Sequence, residues 1–242
     1  MNKILIDNSY NKDSVITLDN DEYEVEYLAD GKFNITFISN GNVKLYEYSF
    51  DRKLDIEKKY VINGKLDVFK FYNNLEVDEL INIDLCNVNS SVLYRFHNIC
   101  RSSENYTVNV NHMKEKTISN IINKSVTLKG SNVNFIVNSN VDEKAIKSVL
   151  DQNTRVVTMG DSEAKICPNM YIPIDDVIAK HGSIIGTFKD DQIFYLMSKG
   201  ISYNDSLKLL IKGYLFSDIV VPLELRIRMM KIIDTYWRWG NE

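Results

Sequence analysis

Three histidines and three cysteines are the residues of this 242-residue chain that could hold a metal or carry sulfur. His181 stands out among them. Two small residues follow it, Gly182 and Ser183, inside the run Asp176-Val177-Ile178-Ala179-Lys180-His181-Gly182-Ser183-Ile184-Ile185-Gly186. Neutral imidazole is a good ligand for several transition metals, and a neighbouring glycine lets a second backbone approach closely. The competing reading is a histidine packed at a strand end and hydrogen-bonded there. His97 and Cys100 have a ligand-like spacing, but one pair without further ligands is a weak metal signal. His112 reads as a turn residue. Cys86, Cys100 and Cys167 are scattered and odd in number, which does not suggest a disulfide framework. Cys167, next to Pro168, is a thiol candidate whose plainer reading is a buried small hydrophobe. The acidic run Asp19-Asn20-Asp21-Glu22 lacks the glycine and distal glutamate of a calcium loop and reads as a solvated turn.

Other chemistry is missing from the sequence. There is no Gly-x-x-x-x-Gly-Lys-[Ser/Thr] loop to cradle phosphates, no Cys-x-x-Cys, no His-Glu-x-x-His and no Gly-x-Ser-x-Gly. Neither a self-sufficient metal site nor an activated nucleophile is visible.

The elements that must position His181 are of two kinds. Upstream, short β-rich runs recur with polar turns between them. Examples are Phe33-Asn34-Ile35-Thr36-Phe37-Ile38, Leu66-Asp67-Val68-Phe69-Lys70-Phe71-Tyr72 and Val133-Asn134-Phe135-Ile136-Val137. Their alternation and spacing predict an all-β fold of repeated units. An antiparallel sandwich and a solenoid both fit that pattern. Frequent turn asparagines lean towards a β-helix, because stacked amides can hydrogen-bond along a solenoid axis and asparagine tolerates left-handed turns. Downstream, three helices are expected. The first opens at Asp190 or Asp191 and stops at Gly200. The second is capped by Ser202 with Asp205. The third opens at Pro222, with Leu223, Ile227, Met230 and Trp237 as its apolar stripe. The expected organisation is lead-in strands over 1–28, a β-rich core over 29–188 and a helical subdomain over 189–242.

Hydrophobic residues make up 44% of the chain, enough for a sizeable core. The net charge of −4 argues against a nucleic-acid binder. No apolar run approaches the roughly 18 residues of a membrane span, and the apolar stretch after Met1 is too short for a signal peptide. A cytoplasmic protein is expected.

Two passages carry a resemblance. Asp175-Asp176-Val177-Ile178-Ala179-Lys180-His181-Gly182-Ser183-Ile184-Ile185-Gly186 is followed by Phe194-Tyr195-Leu196-Met197-Ser198-Lys199-Gly200-Ile201. Together they resemble the C-terminal signature of the SufB/SufD family of iron–sulfur cluster assembly proteins. That signature reads Asp-Asp-Val-x-Cys-x-His-Gly-Ala-Thr-x-Gly, then Phe-Tyr-Leu-x-Ser-[Arg/Lys]-Gly-[Ile/Leu]. Ala179 stands where the family has cysteine. His112-Met113-Lys114-Glu115-Lys116-Thr117-Ile118-Ser119 is similar to a second family pattern, His-x-x-x-x-Thr-x-Ser. The similarity runs from about His112 to Asp218, and the first hundred residues match in texture only.

The resemblance implies a mainly β fold, a right-handed parallel β-helix with a C-terminal helical subdomain. It implies a non-catalytic scaffold subunit that shares a transient iron–sulfur cluster with a partner and binds no nucleotide itself. The implied partners are a SufC-type ABC ATPase and a SufB-like subunit, or a second copy paired through the β-helix, with no nucleic acid and no membrane. His181 becomes the candidate cluster ligand, with Gly182 and Ser183 at the interface beside it. Asn153 falls where the SufB branch has its sulfur-accepting cysteine. Asparagine cannot carry a persulfide, which places the chain nearer SufD. Phe194, Tyr195, Tyr214, Phe216 and Trp237 become the ATPase-docking candidates, since aromatic anchors mixed with arginines typify interface hot spots. Two rival readings are a β-helix carbohydrate enzyme, which lacks a compelling carboxylate cluster, and a purely structural pairing subunit in which His181 only packs.

With no phosphate-binding loop, the purified chain should release no phosphate from ATP above background. A phosphate-release assay that follows the protein through successive columns checks this; activity that co-purifies would contradict it.

Overall fold

The computed structural model describes residues 1–10, 13–217 and 219–236. In chain order the strands are β1 (Asn2–Ile6), β2 (Ser14–Leu18), β3 (Glu22–Tyr27), β4 (Gly31–Ser39) and β5 (Asn42–Phe50). Next come β6 (Lys53–Ile62), β7 (Lys65–Asn73), β8 (Glu76–Leu85), β9 (Ser91–Cys100) and β10 (Ser103–His112). The last are β11 (Ile118–Thr127), β12 (Asn132–Val141), β13 (Ser148–Thr158), β14 (Glu163–Tyr171) and β15 (Val177–Gly186). Three helices follow: α1 (Asp190–Ser198), α2 (Tyr203–Phe216) and α3 (Leu223–Tyr236).

Odd-numbered strands form an 8-stranded sheet and even-numbered strands a 7-stranded one, each in sequence order. Every pairing between described strands is parallel. Each strand therefore pairs with the strand two places on, one coil further along. The result is a solenoid of about 6 turns, the expected β-helix and not a sandwich. β1, β2 and β3 open the same two sheets.

The reason lies in the alternation. Leu54, Ile56, Lys58, Tyr60 and Ile62 of β6 point inward, and the residues between them face out. Parallel in-register pairing stacks like on like from coil to coil. One interior column reads Val25, Glu47, Lys70, Phe96, Asn123, Thr154 and Ser183.

Asparagine ladders run along the axis as anticipated, but the longest lies mid-strand on the outer face of the 7-stranded sheet. Asn109 donates to Asn82 at 2.9 Å, Asn138 to Asn109 at 2.7 Å, and Asn169 to Asn138 at 2.8 Å. A turn ladder also exists: Asn63 donates to Asn40, and Asn40 to Asp19. The ladder spacing gives the coil length. It is 23 residues between Asn40 and Asn63 and grows to 27, 29 and 31 along the mid-strand ladder. The extra residues lie in the connections, which is why no strict repeat shows in the sequence.

The helix starts, and the end of α1, fall where expected. Ser202 accepts from the Asp205 amide at 3.1 Å, and Gly200 closes α1 with φ +83°. α2 and α3 lie on the outer face of the 8-stranded sheet, because that face carries Tyr46, Tyr48, Phe69, Phe71, Ile99, Val126 and Val157. A sheet face this apolar must be covered. The buried side of α3 is Leu225, Met229 and Ile233. Leu223 and Ile227, expected on the packed stripe, face out. Both faces of α3 are apolar, so periodicity could not choose between them; the aromatic sheet beneath does. Trp237, the fourth residue of that stripe, lies outside the described residues.

Turn stacking fixes one glycine. A Cβ on Gly64 would collide with the Gly41 carbonyl oxygen of the previous coil, which already accepts from the Lys65 amide at 2.6 Å. Gly64→Ala should therefore lower stability by roughly 1–3 kcal/mol, measured by urea denaturation. Gly130→Ala meets no atom at its Cβ; its cost should be confined to the strained φ of +77°.

Candidate functional site

His181 lies in the middle of β15, not at a strand end. The backbone makes no turn at Gly182: pairing with β13 runs unbroken from Ser148–Val177 to Val157–Gly186, and Gly182 is not among the positive-φ glycines. β15 is the last strand of its sheet, so its outer edge is unpaired within the described chain. His181 pairs in register with Gln152, whose side chain points inward. The imidazole therefore sits on the interior phase of the coil, yet it is exposed, because no further coil among the described residues covers it. Ser183 shares that phase above buried Thr154.

Beneath His181, Gln152 ties the two sheets together. Its Nε2 donates to Ser139 Oγ at 2.6 Å and to the Asn169 carbonyl at 3.2 Å. Its Oε1 is buried without a partner among the described residues. Asn153 and Gly182 are register partners on the opposite, outward face. A Cβ on Gly182 would stand 3.9 Å from the Asn153 amide, ordinary contact, so the chain's own packing does not demand glycine there. Asn153 and His181 thus share neighbouring strands but not a face. Cys167 is on the outward face of β14, in the other sheet.

The remaining histidines are structural. His97 is fully buried, and its Nδ1 lies 2.7 Å from the Leu215 carbonyl, anchoring the end of α2 to β9. Cys100 points to the interior, three residues on and therefore on the other face; its Sγ meets the Asn132 carbonyl at 3.2 Å. The two cannot form one site. His112 Nδ1 is 2.7 Å from Thr117 Oγ1 and Nε2 is 2.8 Å from Ser119 Oγ. These hydroxyls are the Thr and Ser of the sequence pattern, which is an interior hydrogen-bonding motif. Burial pushes the His112 pKa down to about 4. Among the described residues, no group of three or more His, Cys, Asp or Glu side chains could hold a metal.

The aromatic candidates divide. Phe194 and Tyr195 on α1 are 65% and 63% exposed. Phe216 is buried against Phe71, with ring centroids 5.6 Å apart, and offers no surface for docking. Tyr214 is turned onto the sheet, where its hydroxyl donates to the Arg155 carbonyl at 2.6 Å.

Sequence reasoning missed a buried ionic chain. Lys58 lies between Glu47 and Glu79, and Lys70 pairs with Glu79; all four side chains are fully buried. Lys70 also lies 4.2 Å from the Tyr72 ring centroid and 4.4 Å from that of Phe96. Burial alone would push the Glu79 carboxyl up, but Lys70 and Lys58 together hold it below its ordinary range. Burial draws Lys70 down to about 8, against the pull of Glu79. Lys58, facing two carboxylates, stays well above its ordinary value despite the same burial. The available signal was phase: each of these residues occupies an inward position of an alternating strand.

Further along, Glu104 accepts from Asn98 at 2.6 Å and Tyr106 at 2.7 Å, with no salt bridge to it among the described residues. Burial raises it to about 7.

The family model for the SUF system FeS cluster assembly SufBD core domain matches residues 86–214. The chain belongs to the SufBD family. The match spans β9 to α2, including His112, Asn153, Cys167 and His181. An iron–sulfur cluster assembly SufBD family protein of Mycobacterium leprae is 35% identical over 86 residues, covering 34% of this chain and 22% of that protein. The SufB protein of Bacillus subtilis is 25% identical over 126 residues, 50% of this chain and 27% of its own length. The SufD protein of the same organism is 27% identical over 135 residues, 54% and 31% respectively. This SufBD chain thus aligns with less than a third of each of these relatives. No described helix is long and apolar enough to cross a membrane.

Glu104 predicts a pH effect. Its unfolded carboxyl titrates near 4.5 and the folded one near 7, so its burial costs nothing below pH 4.5 and costs most above 7. Glu104→Gln should stabilise the protein by up to about 3 kcal/mol at pH 8. The gain should fade as pH drops towards 4.5, measured by chemical denaturation of both proteins across the range. His112 has the opposite sign: its depressed value removes stability as pH falls from 6.5 to about 4. Comparing the two proteins at each pH cancels that contribution.

Proposed function

We propose that this chain is a SufD-like scaffold subunit of SUF-type iron–sulfur cluster assembly, without catalytic activity of its own. It pairs through β15 with a SufB-like subunit, or in its absence with a second copy. The observation that carries the reading is His181: a family-matched imidazole, exposed on the interior phase of an unpaired edge strand. Solenoid ends need covering, and an open edge is a template for another strand. Ile178, Ile184 and Ile185 are all exposed on this strand, as a surface covered by a partner would be. The cluster is cargo. One imidazole cannot hold it alone, so the other ligands come from the paired subunit, and Gly182 allows that backbone near. Asn153 and Ala179, where the family patterns have cysteine, leave sulfur acceptance to the partner.

A SufC-type ABC ATPase docks on the helices in this reading, and ATP turnover belongs to it. The docking face is Phe194 and Tyr195 with the outer side of α3, Leu223 and Ile227, all exposed. Deleting the helices is an unsuitable test, since it would strip cover from Tyr48, Phe69 and Phe71.

His181→Ala should leave stability and pairing unchanged, because the side chain is exposed, while iron bound per complex falls severalfold. The measurement is iron content after anaerobic coexpression with a SufB-like subunit and the ATPase. Unchanged iron would remove the ligand role; loss of folding would return His181 to packing. Phe194→Ala with Tyr195→Ala should weaken ATPase binding by at least about tenfold, read by titration calorimetry. Full affinity would move docking elsewhere.

A further inference from the structure

The last described helix is fastened to the first coil. Arg228 of α3 donates from Nη2 to Glu26 Oε1 of β3 at 2.7 Å and from Nη1 to the Tyr48 hydroxyl of β5 at 3.0 Å. Its guanidinium lies 4.8 Å from the Tyr48 ring centroid and 5.8 Å from that of Phe50. The acceptors are themselves held. The Tyr48 hydroxyl lies 2.9 Å from Glu26 Oε2 and also contacts Glu24, its one proton shared between the two carboxylates. Lys3 of β1 pairs with Glu26 at 2.9 Å and Glu24 at 3.5 Å. Burial would raise the Glu26 carboxyl, but Arg228, Lys3 and Tyr48 together hold it down near 2. Residues 3, 26, 48 and 228 thus meet at one point.

Under this contact is the most aromatic part of the outer sheet. Tyr48, Phe50 and Phe71 cluster there with Leu225, Met229 and Ile233 of α3. α2 has polar anchors of its own on the sheet, through His97 and Tyr214. α3 joins α2 through Lys212 and Asp234 at 2.6 Å, and reaches the sheet by a charged contact at Arg228. The Arg228 side chain is 45% exposed, against 15% for Glu26, so salt can screen it.

We propose that α3 is a strap: an ionic latch at Arg228 closes it over the aromatic strip of the first coils, and it can lift while α2 and the solenoid stay folded. Lifting bares Tyr48, Phe50 and Phe71 on one side and Leu225, Met229 and Ile233 on the other. The strap stands on this geometry alone and does not require the scaffold reading above.

The test is hydrogen exchange, read by mass spectrometry, on the full chain and on Arg228→Gln. Loss of a charge-assisted hydrogen bond should speed exchange in α3 by roughly tenfold, with α2 and β7 to β13 unchanged. Raising salt should move wild-type α3 towards the variant and shift the variant less, since the variant keeps only the Lys212–Asp234 pair for salt to screen. Overturning results are α3 exchange equal in the two proteins, or a rise shared by α2 and the sheet, which would make the contact part of global stability. If Arg228→Gln does not accumulate folded, the wild-type salt series decides: α3 protection that ignores salt, or that falls only together with α2, overturns the strap.

Discussion

Four buried charges constrain the first half of the solenoid more tightly than any apolar contact does. In contact order Glu47, Lys58, Glu79 and Lys70 alternate in sign across two adjacent coils and both sheets. A one-residue slip of any of these strands would turn its charge to solvent and an outer residue inward. A two-residue slip would keep the phase but separate the ions. Removing one partner from such a buried set costs about 3–5 kcal/mol, because the other charge stays buried. Apolar side chains slide past one another at little cost; these charges do not. The parallel register that follows from them carries from β7 through four further strand pairs to β15, where it decides which side of the strand His181 occupies.

That register gives the 8-stranded sheet two different environments on one outer face. Near β5 and β7 the outer residues are aromatic, and α2 and α3 cover them. Towards β15 the outer and inner residues alike are exposed, because the sheet runs out of neighbours. The helices therefore do not protect the end that holds His181. The two surfaces proposed for partners are thereby separated: one on the helices along the flank, the other at the terminal edge.

The interior also changes character along the axis. The first coils are filled by tyrosines, phenylalanines and the ionic set. The later ones hold His112, Thr117, Ser119, Asn123, Gln152 and Thr154, all buried. Longer coils accompany this polar filling. In the polar part, hydroxyls and amides bond one another across coils, as Asn123 does to Thr154 at 3.0 Å. The family match begins at residue 86, at the approach to this polar half.

Much of the architecture was legible in the sequence. Period-two alternation belongs to each strand, and helix caps are local, so strands and the starts of α1 and α2 could be read from neighbouring residues; alternation left sandwich and solenoid open, and the family resemblance chose the solenoid. The order of small residues around His181 was enough to suggest its family. Tertiary structure decided the rest. Whether Leu223 or Leu225 of α3 packs depends on what lies beneath it, and that is Tyr48 and Phe71, more than 150 residues away. Whether His181 is buried depends on the absence of a sixteenth strand among the described residues, which no local pattern encodes. The ions of Lys58 and Lys70 look like solvated charges in sequence. Only the closing of one coil upon the next brings their carboxylates within reach and excludes water.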